Sequence, residues 1–213
     1  CLMEGINHEA IGLAGHLGLG RLIVLWDDNR ITIDGSTDLS TSEDIAARYG
    51  AAGWHTTSCD GHDYSDIDRA LGEAAADDRP SLVACRTVIG KGAPNKAGSH
   101  SVHGAPLGAE EIAAARVAMG WDAPPFEVPA GVLADWRSLG ARGAEAHEAW
   151  KKRAAGDANA PELSRRMAGE LPAGEAGGEA IRAALGEPRK VATRKASEIV
   201  LDAITPHIPE MVG

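Results

Sequence analysis

A run of five apolar residues at positions 22–26 follows a helical pattern near the start of the chain. A run without polar interruptions is typical of a β-strand that is covered on both faces. Short strands are also predicted at 54–59 and 81–88, and helices at 3–17, 40–49 and 65–76. Strands that alternate with helices predict a parallel sheet with right-handed crossovers. The expected fold class is therefore α/β, with a mostly parallel sheet flanked by helices.

Local signals place the ends of two of these helices. Apolar residues recur every three or four positions from Ile6 to Leu17, which predicts one helix stripe. Ser40, followed three residues later by Glu43, resembles a capping box and predicts that the next helix begins there. The first helix has no capping residue, and a parallel sheet needs a strand before it. We therefore expect the sequence to be part of a longer chain, with an incomplete sheet.

The second half of the chain has a different composition. Large apolar residues are concentrated before about residue 90, and residues 140–186 are rich in Ala, Gly, Glu and Arg. Helices are predicted at 109–119, 129–150 and 193–204. Between them and the sheet, residues 89–108 contain five glycines, two prolines, His100 and His103. A loop this long inside a domain is usually functional or disordered.

Composition excludes several classes of protein. The chain has 21 Lys+Arg against 31 Asp+Glu and a net charge of −10, which disfavours nucleic-acid binding because that requires clustered cations. No apolar stretch approaches the ~20 residues needed to cross a bilayer. The three cysteines give no disulfide framework, so Cys59 and Cys85 are interpreted as reduced thiols of a cytoplasmic protein.

Polar residues follow directly after the predicted strand at 22–26. Ligands of open α/β sheets bind at the carboxyl ends of strands, so residues 27–35 are placed for binding. Asn29 offers a side-chain oxygen and Ile31 a backbone carbonyl, and both suit Mg²⁺. Two ligands are too few, and the ion would need a further carboxylate and the oxygens of a phosphorylated ligand. An ordinary turn is the alternative interpretation of the same residues.

Several motifs together resemble the transketolase family. CLMEGINHEA at 1–10 is followed by DDNRITIDG at 27–35 and by DGHD at 60–63. Further matches are the segments at 89–96 and 99–108, the latter reading SHSVHGAPLG, and RKAS at 194–197. The resemblance covers nearly the whole chain in the same order and is weakest at about 140–187.

The resemblance implies thiamine diphosphate as cofactor, with Mg²⁺ or another divalent cation such as Ca²⁺ or Mn²⁺. Asn29 and Ile31 correspond to metal ligands, and a further aspartate ligand belongs two residues before Cys1.

His103 corresponds to a catalytic histidine that contacts the cofactor diphosphate or the sugar phosphate. Arg194 corresponds to an arginine that binds the sugar phosphate, and Glu4 to a glutamate at a homodimer interface. His62 and His100 receive no catalytic role.

The implied domains are a diphosphate-binding domain at 1–128 that lacks its beginning, a helical or irregular linker at 129–189, and the first helix of a pyrimidine-binding domain at 190–213. The implied reaction transfers a two-carbon ketol group from a ketose phosphate to an aldose phosphate in the pentose phosphate pathway. The chain alone is expected to be inactive. Dihydroxyacetone synthase, deoxyxylulose-phosphate synthase, a non-catalytic scaffold subunit and a cation-binding protein without cofactor remain alternatives.

Overall fold

The computed structural model describes residues 2–172, 177–187 and 190–211. The chain divides into two compact units, Cys1–Glu127 and Val128–Gly213. The expectation that a metal ligand precedes Cys1 lies outside the described residues, as do positions 173–176 and 188–189 of the predicted linker.

The first unit is a layered α/β structure. Its helices and strands follow one another in the order α1 (Ile6–His16), β1 (Ile23–Asp28), α2 (Ile45–Ala51), β2 (His55–Asp60), α3 (Tyr64–Ala76), β3 (Ser81–Arg86) and α4 (Ala109–Ala118). The strands form a parallel sheet in the order β1-β3-β2. The predicted fold class, a parallel sheet flanked by helices, is confirmed.

The three strands end at the same level. In the sheet register, Asp28 of β1 and Asp60 of β2 both lie opposite Arg86 of β3. Parallel strands place their carboxyl ends at one edge of the sheet, and here that edge is formed by charged side chains. This edge is therefore where the fold offers polar groups to a ligand.

The core consists of two apolar clusters that share the central strand β3. Leu82 and Val83 are fully buried and, as neighbours in a strand, point to opposite faces of the sheet. One cluster contains Leu82 with residues of α1 and α2 and with Trp54, whose Nε1 donates a hydrogen bond to the carbonyl of Ile11 at 3.0 Å. The other cluster contains Val83, Cys59 and small residues of α3.

Burial corrects the prediction for residues 22–26. In the described sheet, β1 is an edge strand that pairs only with β3, so Leu25 is 57% exposed rather than covered. The strand that is covered on both faces is β3, where Leu82 and Val83 are at most 1% exposed. An apolar run predicts a strand, but its burial depends on which strand lies at the centre of the sheet.

The predicted capping box at Ser40 is also wrong. Ser40 ends a short 3-10 turn, Thr37–Leu39, and α2 begins later, at Ile45. Asp44 caps α2, since its Oδ1 accepts a hydrogen bond from the backbone N–H of Ala47 at 2.9 Å. A carboxylate accepts from the free amides of a first helical turn as well as a serine does.

The second unit consists of helices in its described residues. They are α5 (Ala130–Ala141), α6 (Ala144–Gly156), α7 (Ala160–Met167), α8 (Gly178–Leu185) and α9 (Thr193–Ile204). The helix predicted at 193–204 is confirmed, whereas the one predicted at 129–150 is two helices separated at Arg142 and Gly143. None of the helices in the described part of the chain is both long and apolar enough to cross a membrane.

Candidate functional site

The turn that follows β1 is built around Asn29. Its Oδ1 accepts a hydrogen bond from the backbone N–H of Ile31 at 3.0 Å, and its Nδ2 donates to Oδ2 of Asp27 at 3.2 Å. The intervening Arg30 has a φ of 62°, in the left-handed region. A non-glycine residue adopts this conformation only where surrounding contacts hold it, so the turn is a defined structure.

Asp28 supplies the contacts that hold Arg30. Both carboxylate oxygens of Asp28 accept hydrogen bonds from Nε of Arg30, at 3.0 and 3.2 Å. Asp28 is buried, and a second cation, Nη1 of Arg86, lies 3.8 Å from its carboxylate and donates to its backbone carbonyl at 2.9 Å. A buried carboxylate needs such partners because burial disfavours an isolated charge. The end of β1 is thereby fixed to the end of β3.

Asp27 makes a second connection between the same strands. Its Oδ1 accepts a hydrogen bond from the hydroxyl of Thr87, the residue that follows β3, while Oδ2 accepts from Asn29. Asn29 and Ile31 are predicted from the sequence, whereas Asp27 and Asp28, which fix them, are missed. Their position in the sequence could have identified them, because both aspartates lie directly between the apolar run and Asn29.

The structure brings the two predicted metal ligands into one turn. Asn29 and Ile31 are both half-buried, and Ile31 pairs with Ser36 in an isolated antiparallel bridge that closes the following loop. Among the described residues, no group of three or more His, Cys, Asp or Glu side chains is arranged to hold a metal ion. An ion bound by Asn29 and Ile31 would therefore take its remaining ligands from elsewhere.

His103 lies in the long loop between β3 and α4. The loop is more ordered than its sequence suggests, since it contains a short 3-10 turn, His100–Val102, and His103 donates its backbone N–H to the carbonyl of His100 at 2.9 Å. A Cβ added at Gly90, where φ is +66°, would lie 3.1 Å from Cγ2 of Val102. Glycine at this position lets the two parts of the loop approach closely, and His103 remains exposed.

The loop is closed at its base by Glu111 of α4. Glu111 is only 6% exposed, and its carboxylate accepts hydrogen bonds from the backbone N–H of Asn95 at 2.8 Å and from its Nδ2 at 2.9 Å. These bonds from Asn95 lower the pKa of Glu111 below its usual range, so the side chain is ionised at neutral pH. Sequence reasoning did not identify Glu111.

His62 connects two loops at the same edge of the sheet. Its Nε2 accepts a hydrogen bond from the backbone N–H of Val88 at 2.9 Å, which ties the turn after β2 to the chain after β3. A cavity of about 680 Å³ opens beside it, lined also by Arg69 and Arg86. Arg69 is already paired with Asp66 and Glu73 of its own helix. None of the predicted site residues lines this cavity.

Glu4 and Arg194 lie in different units of the chain. Glu4 is exposed in the turn before α1, because α1 begins at Ile6 rather than near residue 3 as predicted. Its backbone carbonyl accepts a hydrogen bond from the N–H of Asn7 at 3.1 Å. In the second unit, Arg194 is exposed in the first turn of α9.

Comparisons with known proteins agree on one family. The family model described as the thiamine diphosphate binding domain of transketolase matches residues 1–172. Proteins named transketolase from Cereibacter sphaeroides and transketolase 1 from Vibrio parahaemolyticus are 54% and 50% identical over the whole chain. The chain spans about a third of the length of these relatives, 33% of each.

Solved structures give the same result. A transketolase from Pichia stipitis, crystallised in complex with sedoheptulose 7-phosphate, matches the whole chain with a TM-score of 0.82 and 41% identity, over 32% of its own length. A transketolase from Leishmania mexicana matches 98% of the chain with a TM-score of 0.82 and 38% identity, also over 32% of its length. The motifs, the parallel sheet and these matches agree, and the chain belongs to the transketolase family, whose thiamine diphosphate binding domain it matches over residues 1–172.

Proposed function

We propose that this chain is part of an enzyme that transfers a two-carbon ketol group from a ketose phosphate to an aldose phosphate, as in the pentose phosphate pathway. The family match and the names of its relatives support this reaction. Because the chain spans about a third of those relatives, the activity belongs to a longer protein. Thiamine diphosphate, when bound, supplies the nucleophile and electron sink that carbon–carbon cleavage requires.

The turn after β1 is the observation on which the proposal depends. Asn29 and Ile31 offer an amide oxygen and a carbonyl oxygen, which are the hard donors that Mg²⁺ and Ca²⁺ prefer. The contacts of Asp27 and Asp28 hold this turn in place. The residues therefore fit a divalent cation whose other ligands are diphosphate oxygens and a carboxylate outside the described residues. The family's cofactor has such a diphosphate.

Two cationic or polar side chains are proposed to bind phosphate groups. His103 is exposed on an ordered loop, so its imidazole N–H is free to approach an anionic oxygen of the cofactor or of the sugar phosphate. Arg194 is exposed at the start of α9, and its planar guanidinium suits bidentate binding of the sugar phosphate. Both groups bind and orient an anion rather than break a bond.

We also propose that the intact enzyme is a cytoplasmic homodimer in which Glu4 contributes to the subunit interface. Glu4 is exposed and lies ahead of α1, so it is accessible to another subunit. The free thiols Cys59 and Cys85 are consistent with a reducing compartment. The chain by itself should show no ketol transfer, because it supplies only two of the cation's ligands.

Replacing Asn29 tests the proposed cation site in the full-length protein. Asn29→Leu removes the amide oxygen that would coordinate the ion. The affinity for thiamine diphosphate in the presence of Mg²⁺ should fall at least ~10-fold, because even the loss of a residue that only positions a metal ligand costs about that much. Isothermal titration calorimetry measures this affinity, and a coupled assay measures ketol transfer. Asn159→Ala, at an exposed position in the second unit, is the control and should change neither quantity. Unchanged cofactor affinity in Asn29→Leu would refute the assignment.

A further inference from the structure

We propose that Glu111 is a positioning residue: it holds the base of the loop at residues 97–106 closed and thereby sets the position of His103. The proposal rests on the proposed function, because it assumes that His103 binds a phosphate group. It concerns a residue outside every motif that pointed to the family. Its support comes from the contacts at the two ends of the loop.

The first end of the loop is bound directly by Glu111. The two oxygens of its carboxylate accept from different donors of Asn95, the backbone N–H at 2.8 Å and the side-chain Nδ2 at 2.9 Å. With Glu111 only 6% exposed, these donors take the place of water around the charge. Removing the carboxylate would leave the donors of Asn95 without this acceptor, so this end of the loop would lose its connection to α4.

The second end of the loop is bound by Lys96. Its Nζ donates a hydrogen bond to the backbone carbonyl of Leu107 at 2.7 Å, two residues before α4 begins at Ala109. Asn95 and Lys96 are adjacent, so one short segment binds both α4, through Glu111, and the residue Leu107 that precedes α4. The two ends of the loop at 97–106 are therefore held together.

The N–H of Gly98 donates to the carbonyl of Ile89 at 2.8 Å and holds the start of the loop, and the residues that follow depend on the closed base. Gly98 and Gly104 have φ values of +75° and +71°. Because glycine has no Cβ, both residues can adopt many other conformations once the ends of the loop are released. His103 lies between these glycines and is exposed, so no packing of its own side chain fixes it. If the loop spends only a fraction of its time in the binding-competent state, the apparent affinity falls to that fraction of its intrinsic value. Loosening the base should therefore weaken phosphate binding without changing the chemistry.

The neighbouring glutamate provides a matched control for the experiment. Glu110 and Glu111 both lie in the first turn of α4, so replacing either removes the same charge from the same helix end. Glu110 is exposed, whereas Glu111 binds Asn95. We would compare Glu111→Ala, Glu111→Gln and Glu110→Ala in the full-length protein. Lys96→Met is a further variant that opens the same base from its other side.

Hydrogen exchange measures how often the loop opens, and it does not require enzyme activity. In Glu111→Ala the amides of residues 99–105 should exchange about 10-fold faster than in the wild type, as expected for a loop that opens locally. Glu110→Ala should leave them unchanged, Glu111→Gln should lie between, and Lys96→Met should also accelerate them. Unchanged exchange in Glu111→Ala would overturn the proposal; if that variant does not fold, unchanged exchange in Glu111→Gln would overturn it.

Steady-state kinetics separates positioning from general damage. With sedoheptulose 7-phosphate as the ketose donor, Glu111→Ala should raise KM about 10-fold and change kcat less than about 3-fold. Glu111→Gln should recover part of the loss, and Glu110→Ala should match the wild type. A fall in kcat with an unchanged KM would refute the positioning role. A wild-type enzyme without ketol transfer would instead refute the proposed function, while the exchange result would still decide whether Glu111 anchors the loop.

Discussion

Replacing Gly15 by alanine should destabilise the first unit, although the residue lies inside helix α1. An ideal Cβ at this position would lie 1.9 Å from the carbonyl oxygen of Ala52 and 3.4 Å from Cδ1 of Trp54. Ala52 is the C-terminal cap of α2, so the obstacle is backbone rather than a flexible side chain. Either α1 or the end of α2 must move to admit a methyl group.

The size of the effect follows from three contributions. Helix propensity alone favours alanine over glycine by about 1 kcal/mol. Overpacking at a close backbone contact costs about 1–3 kcal/mol. A shift of α1 also strains the hydrogen bond from Nε1 of Trp54 to the carbonyl of Ile11, which contributes about 1 kcal/mol. The net expectation for Gly15→Ala is a loss of about 1–3 kcal/mol in the free energy of unfolding.

Gly12 provides the control, since it lies one turn earlier in the same helix and a Cβ added there would have nothing within 4 Å. Gly12→Ala should stabilise the unit by up to about 1 kcal/mol, because only helix propensity acts there. Urea unfolding followed by far-ultraviolet circular dichroism gives both midpoints. If Gly15→Ala were as stable as Gly12→Ala, the close approach of α1 to the end of α2 would be refuted.

Three further predictions follow from burial and pairing. Burial raises the pKa of the Cys85 thiol to about 11, so its alkylation by iodoacetamide, followed by peptide mass spectrometry, should still accelerate about 10-fold per pH unit at about pH 9–10; a plateau near pH 9 would contradict this. Hydrogen bonds from two arginines lower the pKa of Glu162 to about 2 from 4.5, so its stabilisation of α7 should be present above about pH 4.5 and lost as pH falls towards 2. Glu162→Gln should remove that dependence from the helical circular dichroism signal. Trp54→Phe removes the hydrogen bond from Nε1 to the carbonyl of Ile11 and should cost about 1 kcal/mol in urea unfolding, whereas Trp136→Phe, at a largely exposed position, should cost little.

The strands and helices of the first unit were predictable because their signals are local. Apolar runs and helical spacing depend on neighbouring residues, and they placed each strand within a few positions of its observed bounds. The burial of each strand was not predictable in the same way. The runs around Leu25 and Leu82 look alike in sequence, yet Leu25 is 57% exposed and Leu82 is fully buried. The difference arises from strand order, which is set by contacts between distant parts of the chain.

The candidate site shows the same division. Asn29 and Ile31 could be proposed together because they are two positions apart and follow a strand. Glu111 could not, because its partner Asn95 is sixteen positions away and the contact depends on the path of the intervening loop. In sequence, Glu111 is one of two adjacent glutamates in the first turn of a helix. Its burial and its hydrogen bonds from Asn95 distinguish it from Glu110.

The edge of the sheet explains how the chain's own residues fix the turn at Asn29. Because Asp28 and Arg86 lie opposite each other in the sheet register, Arg86 at the end of β3 can contact Asp28 at the end of β1. The negative charge of Asp28 is balanced there by Arg30 and Arg86, so the buried carboxylate does not depend on a bound cation. The carbonyl oxygen of Ile31 and the second lone pair of Asn29 Oδ1, which already accepts from the N–H of Ile31, therefore remain for a ligand. Ordering them adds little to the entropic cost of binding. The loop of His103 is fixed through Glu111 and Asn95, a different set of residues, so substitutions in the two sets should act independently on cofactor affinity.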